Sequence, residues 1–259
     1  MLTEMSAHFY KHLKMVSRRP GEMAFLLLHP IITLLSLGIM IWFAVMQGAP
    51  ASTMLFVFAG IVMWTFFDLV ESAVTYGLTL DIWNSCMKHT FSTKALPKHF
   101  ILGNSIFGLF SGVIAFSVVG VSGLLAFGFN IFSSGAYLIN LISIFFFATA
   151  IGLIINSLMV SKGEKWMALI WMITGIVMVF SGVYYPVDVL PSPIKEFSQF
   201  LPSTHAINSF RAGLGYLPET GASEFLIGFA SSLVSLVIGV VIFWAGLKKG
   251  HRNGVITRY

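Results

Sequence analysis

Residues 137–160 read YLINLISIFFFATAIGLIINSLMV and contain no charged side chain. A helix needs about 20 residues to cross a hydrocarbon core about 30 Å thick, so this stretch is predicted to span a membrane. Working outward, Met23–Met46, Met54–Leu80, Phe100–Phe127, Trp166–Tyr185 and Glu224–Leu247 read the same way. Breakers and small polar residues separate them, as in Gln47-Gly48-Ala49-Pro50 and Ser133-Ser134-Gly135. The expected fold is an all-α integral membrane protein with six transmembrane helices.

Composition agrees with that reading. Hydrophobic residues make up 57% of the 259 positions, charged residues 10%, and the mean hydropathy is +0.88. A soluble domain carries roughly a quarter of its residues charged, so lipid is the expected solvent. The single cysteine, Cys86, excludes an intrachain disulfide and a multi-cysteine metal site. No cleavable signal peptide is expected, because the first apolar stretch is long enough to span.

Charge placement orients the chain. All but two of the 15 lysines and arginines fall before the first span, between spans two and three, between spans four and five, or in the tail. The exceptions are Lys195 and Arg211. This positive-inside bias places both termini in the cytoplasm. The basic balance is therefore topological, aided by anionic headgroups, and not a nucleic-acid footprint.

The chain divides into three regions: an amphipathic interface helix in residues 1–22, a six-helix body in 23–247 and a basic tail in 248–259. In the first, Phe9, Leu13 and Val16 alternate with Lys11, His12, Lys14 and Arg18, the pattern of a helix lying along the inner leaflet; a solvated leader is the alternative. The short loop Asp81–His99 holds Trp83, Phe91 and Leu96-Pro97. It is either a docking surface for a cytoplasmic partner or an aromatic anchor. On the outer side, Ser192-Pro193 is expected to start one short helix by capping, and Ser203 or Thr204 to cap a second through Arg211. The pair would form a lid or re-entrant hairpin.

The second span carries Thr65, Asp68, Glu71, Ser72, Thr75 and Thr79 within about a third of the helix circumference. Two mid-membrane carboxyls cost on the order of 3 kcal/mol each, so they should face protein or water. They read either as the wall of a substrate path or as interhelical hydrogen-bonding groups. Gly108 and Gly112 form one GxxxG, a packing signal. His29-Pro30 reads as a kink or hydrogen bond rather than a metal ligand, and His205 as a cap-region or interfacial residue. No G-x-x-x-x-G-K-[ST], H-E-x-x-H or G-x-S-x-G occurs, so no nucleotide-hydrolysing, zincin or nucleophile-elbow chemistry is expected of this chain.

Three stretches resemble the permease subunits of type-2 ABC exporters. They are Ile82-Trp83-Asn84 through Phe91-Ser92-Thr93-Lys94-Ala95-Leu96-Pro97, then Phe127-Gly128-Phe129-Asn130-Ile131-Phe132, then Phe180-Ser181-Gly182-Val183-Tyr184-Tyr185-Pro186 running on to Leu201-Pro202-Ser203-Thr204-His205. The resemblance implies a non-catalytic exporter subunit of the cell membrane. It pairs with a second permease copy, or a homologue, and with two copies of a cytoplasmic ABC ATPase. ATP and magnesium would belong to that ATPase, with no cofactor on this chain.

By the same resemblance, Trp83, Asn84 and Phe91 couple to the ATPase. Spans one and five would meet across the dimer axis around the substrate path, with Tyr184, Tyr185 and Pro186 at the outer gate; on the path-wall reading of the polar stripe, Asp68, Glu71, Ser72 and Thr75 would line that path. The cargo would be amphipathic: a lipid, drug or lipid-linked glycan. The Arg18-Arg19-Pro20 entry leans toward the drug and lipid types. A proton-coupled secondary transporter using Asp68 or Glu71 is the alternative. A non-transporting scaffold would leave the polar stripe unexplained.

Overall fold

A computed structural model describes residues 2–18, 20–83, 97–133, 135–163, 166, 168–216 and 220–254. All the regular structure among them is helical: α1 (Leu2–Arg18), α2 (Pro20–Met46), α3 (Ala51–Trp83), α4 (Pro97–Phe127), α5 (Ala136–Lys162), α6 (Ala168–Phe180), α7 (Ser192–Gln199), α8 (Pro202–Gly213) and α9 (Gly221–Arg252), with short 3-10 turns at Ile131–Ser133 and Val187–Val189. Five of these helices, α2, α3, α4, α5 and α9, contain apolar stretches long enough to cross a membrane.

The expected fifth span differs from its reading. The described part of helix α6 ends at Phe180, short of the expected Tyr185. Ser181–Tyr185 form a turn instead of a last helical turn. Gly182 sits there at φ 62°, a conformation that a side chain disfavours.

Helix α3 is the centre of the bundle. It packs on α2, α4 and α5, and touches α6 and α8. Its apolar positions are buried almost all round, from Phe58 and Val62 to Phe66, Val70 and Leu78. The GxxxG glycines do pack: Gly108 of α4 lies against Val70, and Gly112 against the Phe66 ring. Helix α9 meets α5 through Gly239, Gly246 and Gly250, set against Ala150, Ser157 and Val160, so the two backbones approach closely. Ser157 adds a hydroxyl bond to the Ile242 carbonyl at 2.8 Å.

In contrast, α2 leaves Ile32, Ile39, Trp42 and Phe43 exposed, and α6 leaves Met172, Ile176 and Val179 exposed. Both contact the rest of the described bundle lightly.

The hairpin caps also differ from expectation. Pro191 and Leu201 occupy the N-cap positions, so Ser192 and Pro202 are already the first helical residues. Proline suits that place because it has no N–H to leave orphaned. The hydroxyls read as caps are used elsewhere. Ser192 donates to Glu196, Ser203 bonds Ser181 at 2.6 Å, and Thr204 reaches the Phe180 carbonyl at 3.5 Å. The last two tie α8 to the end of α6.

Candidate functional site

The polar stripe of α3 separates into parts with different surroundings. Glu71 is 1% exposed, and both its oxygens are occupied. Thr75, one turn on, donates to Oε1 at 2.5 Å, and Thr174 of α6 donates to Oε2 at 3.2 Å. Glu71 therefore bridges α3 to α6, and Thr174 is a partner that sequence reading did not single out. Thr65 and Thr79 turn their hydroxyls back onto the Ile61 and Thr75 carbonyls, which satisfies them within the helix.

Asp68 and Ser72 are partly exposed. Asp68 lies within electrostatic reach of His29 of α2 and of Tyr184. The structure thus sets Asp68 near α2, Glu71 toward α6 and Thr75 into the packed interior.

At the α1 end, the helix docks on α4 through Phe9, which meets the Phe107 and Phe110 rings, and through His12. Leu13 is 41% exposed, whereas His12 is 5% exposed. The His12 ring stacks on Phe107 with centroids 5.0 Å apart, and its Nε2 lies 2.9 Å from Asn104 Oδ1. That oxygen only accepts, so Nε2 carries the proton. Burial, with Lys11 nearby, pulls the ring down to about 4, which keeps it neutral. Lys11 itself pairs with Asp81 near the end of α3. Helix α1 is thereby fastened to both helices that frame the 84–96 segment. Asn84, Phe91 and the Trp83 side chain lie outside the described residues.

At the opposite end, Tyr185 donates to the Val179 carbonyl at 2.6 Å, and Tyr184 points at Met178 Sδ, 3.7 Å away. Pro186 is exposed.

Two residues with little sequence signal organise this end. His205 places Nδ1 2.7 Å from Glu224 of α9 and Nε2 2.7 Å from the Gln199 carbonyl. Two acceptors require two N–H groups, so the imidazolium fits where either neutral tautomer leaves one acceptor unpaired. Burial opposes the charge, but the Glu224 and Gln199 hydrogen bonds outweigh it and raise the pKa above 6.5.

Arg211 is 2% exposed. It donates to the carbonyls of Phe56, Gly182 and Val183 at 3.0, 3.0 and 2.8 Å, and lies over the Phe56 ring. Burial pulls it down to about 9, still cationic at neutral pH. An arginine beside Ile207 and Phe210 on one short helix was the available hint.

Chemically, the described residues hold no group of three or more His, Cys, Asp or Glu that could bind a metal. What they offer is a polar helix face between two lightly packed apolar helices, fastened at both ends. A search of curated proteins finds no match to the chain. The ABC-2 type transporter family matches residues 3–214, which takes in α1, the whole polar face and the outer hairpin. With that match, and with several apolar helices long enough to cross a membrane, the chain belongs to the ABC-2 type transporter family and is the multi-pass membrane permease of an ABC transporter.

Proposed function

We propose that this permease exports an amphipathic substrate (a lipid, drug or lipid-linked glycan) across the cell membrane, driven by two copies of a separate ABC ATPase. Two permeases, identical or homologous, form the channel, and ATP and magnesium bind the ATPases. The observation that carries the reading is the polar face of α3 between α2 and α6, within a family of transport membrane domains.

The exposed apolar sides of α2 and α6 are suited to a second copy, which would leave Asp68, Ser72 and the Glu71–Thr75 region beside the path between protomers. The apolar stretch that ends at Phe180 then makes a sixth crossing, and α7–α8 a re-entrant hairpin in the outer leaflet. Lysine and arginine placement sets both termini in the cytoplasm. Trp83, Asn84 and Phe91 dock into the ATPase, and Tyr184, Tyr185 and Pro186 close the outer end.

Mechanistically, ATP-driven closure of the ATPases pushes the 84–96 segment. Helix α1, tied to α3 by Lys11–Asp81 and to α4 by His12–Asn104, moves with it. The two states differ in which side of the membrane reaches the path.

The test is reconstitution with and without a cognate ABC ATPase. The permease alone should hydrolyse no ATP, and the complex should contain two of each subunit. Transport by inverted vesicles should continue when an uncoupler collapses the pH gradient. Loss of transport under uncoupling, with ATP abundant, would replace this reading with a proton-coupled one through Asp68 or Glu71.

A further inference from the structure

Of the described lysines and arginines, Arg211 alone is buried. Among the described residues no carboxylate pairs with it. Three backbone carbonyls, the Asn208 side chain at 3.3 Å and the Phe56 ring face take that place. The carbonyls belong to two different elements: Phe56 to the first turns of α3, Gly182 and Val183 to the turn that follows α6.

Gly60 makes the arrangement possible. A Cβ there would lie 2.0 Å from the Val183 carbonyl oxygen and 2.9 Å from Arg211 Nη2. A planar guanidinium holds several acceptors in a fixed fork, which a lysine ammonium does not. Sliding the turn past α3 would break the Gly182 and Val183 bonds or the Phe56 bond and leave buried guanidinium N–H groups unpaired.

Helix α3 is one uninterrupted helix of 33 residues, about 50 Å long, from Ala51 to Trp83. We infer that Arg211 is a positioning residue for the outer end: it couples the turn carrying Tyr184 and Tyr185, which Tyr185 also fastens to α6, to the first turns of α3. A displacement of α3 at its Asp81 end would then reach that turn directly. This rests on reading the turn as the outer gate.

The test is amide hydrogen exchange on the permease–ATPase complex in nanodiscs, nucleotide-free and trapped with ATP and vanadate. In the wild type, exchange in 182–185 and in 54–60 should change together between the two states. Arg211→Gln should raise exchange in 182–185 at least about tenfold while α5 and α9 stay unchanged. It should also abolish the nucleotide response of that turn. Arg211→Lys should recover part of the protection, and Phe56→Leu, which removes only the ring face, should give a smaller local rise.

Unchanged exchange at 182–185 in Arg211→Gln and Phe56→Leu overturns the inference. So does a rise of equal size throughout the bundle, which marks a general packing role. If the variant effect is local but the wild-type turn ignores nucleotide, Arg211 is upheld as the tie to α3 and the gate reading falls.

Discussion

Acidification should release α1 from the bundle, and His12 sets the size of the effect. The ring is neutral in the folded protein because burial and Lys11 depress it from 6.5 to about 4, against weaker opposing effects of Asn104 and Asp81. A base with a depressed folded value favours the folded state above 6.5 and loses that preference as pH falls toward 4. At pH 5 the loss is about 2 kcal/mol, and near pH 4 about 3 kcal/mol, at 1.36 kcal/mol per unit. His8, also lowered by burial and by Lys11, adds in the same direction. The docking of one amphipathic helix is worth only a few kcal/mol, so α1 should become measurably loose near pH 5.

The assay is hydrogen exchange of residues 6–18 in nanodiscs, corrected for intrinsic rate, at pH 7.4 and pH 5. His12→Gln is the control, since its amide can still donate to Asn104 but does not titrate. We expect protection to fall more than tenfold in the wild type and little in the variant, with ATP hydrolysis of the complex following the same difference. An equal acid response in both proteins would refute the assignment to His12.

Three further outcomes follow from the packing. Glu71→Ala should destabilise the detergent-purified permease by about 2–4 kcal/mol in thermal unfolding, because the Thr75 and Thr174 hydroxyls lose their acceptor, whereas Glu71→Gln keeps one acceptor and should cost less. His205 has a raised pKa, so its clamp on Glu224 is complete below 6.5 and is lost as pH rises through the higher folded value. Limited proteolysis of the hairpin should therefore accelerate at alkaline pH in the wild type but be pH-independent in His205→Gln. Gly60→Ala puts a methyl 2.0 Å from a backbone oxygen, and should cost more than about 3 kcal/mol or abolish folded yield, as read by size-exclusion chromatography.

How far the sequence carried the description depends on the range of the interactions involved. Apolar length is a local property, so the spans at 137–160 and 224–247, the helical leader and the paired short outer helices were legible without a fold. The GxxxG of α4 was legible for the same reason, since small side chains at helical spacing present a flat face whatever covers it. The three matching stretches were enough to identify the permease family.

Side-chain partnership was not legible, because it joins residues far apart in the chain. The spacing of Asp68, Glu71 and Thr75 placed them on one side of α3, yet only packing against α6 gave Glu71 the Thr174 hydroxyl and left Asp68 within electrostatic reach of His29. Helical periodicity gave α1 an apolar side, but only packing against α4 reveals that His12 is buried, where Asn104 satisfies its ring and Phe107 covers it. Ser203 and Thr204 looked like caps, and the proline at the first helical position freed them for α6. Arg211 is the extreme case. Its four backbone and side-chain acceptors come from three segments, and no pattern along one helix could have brought them together.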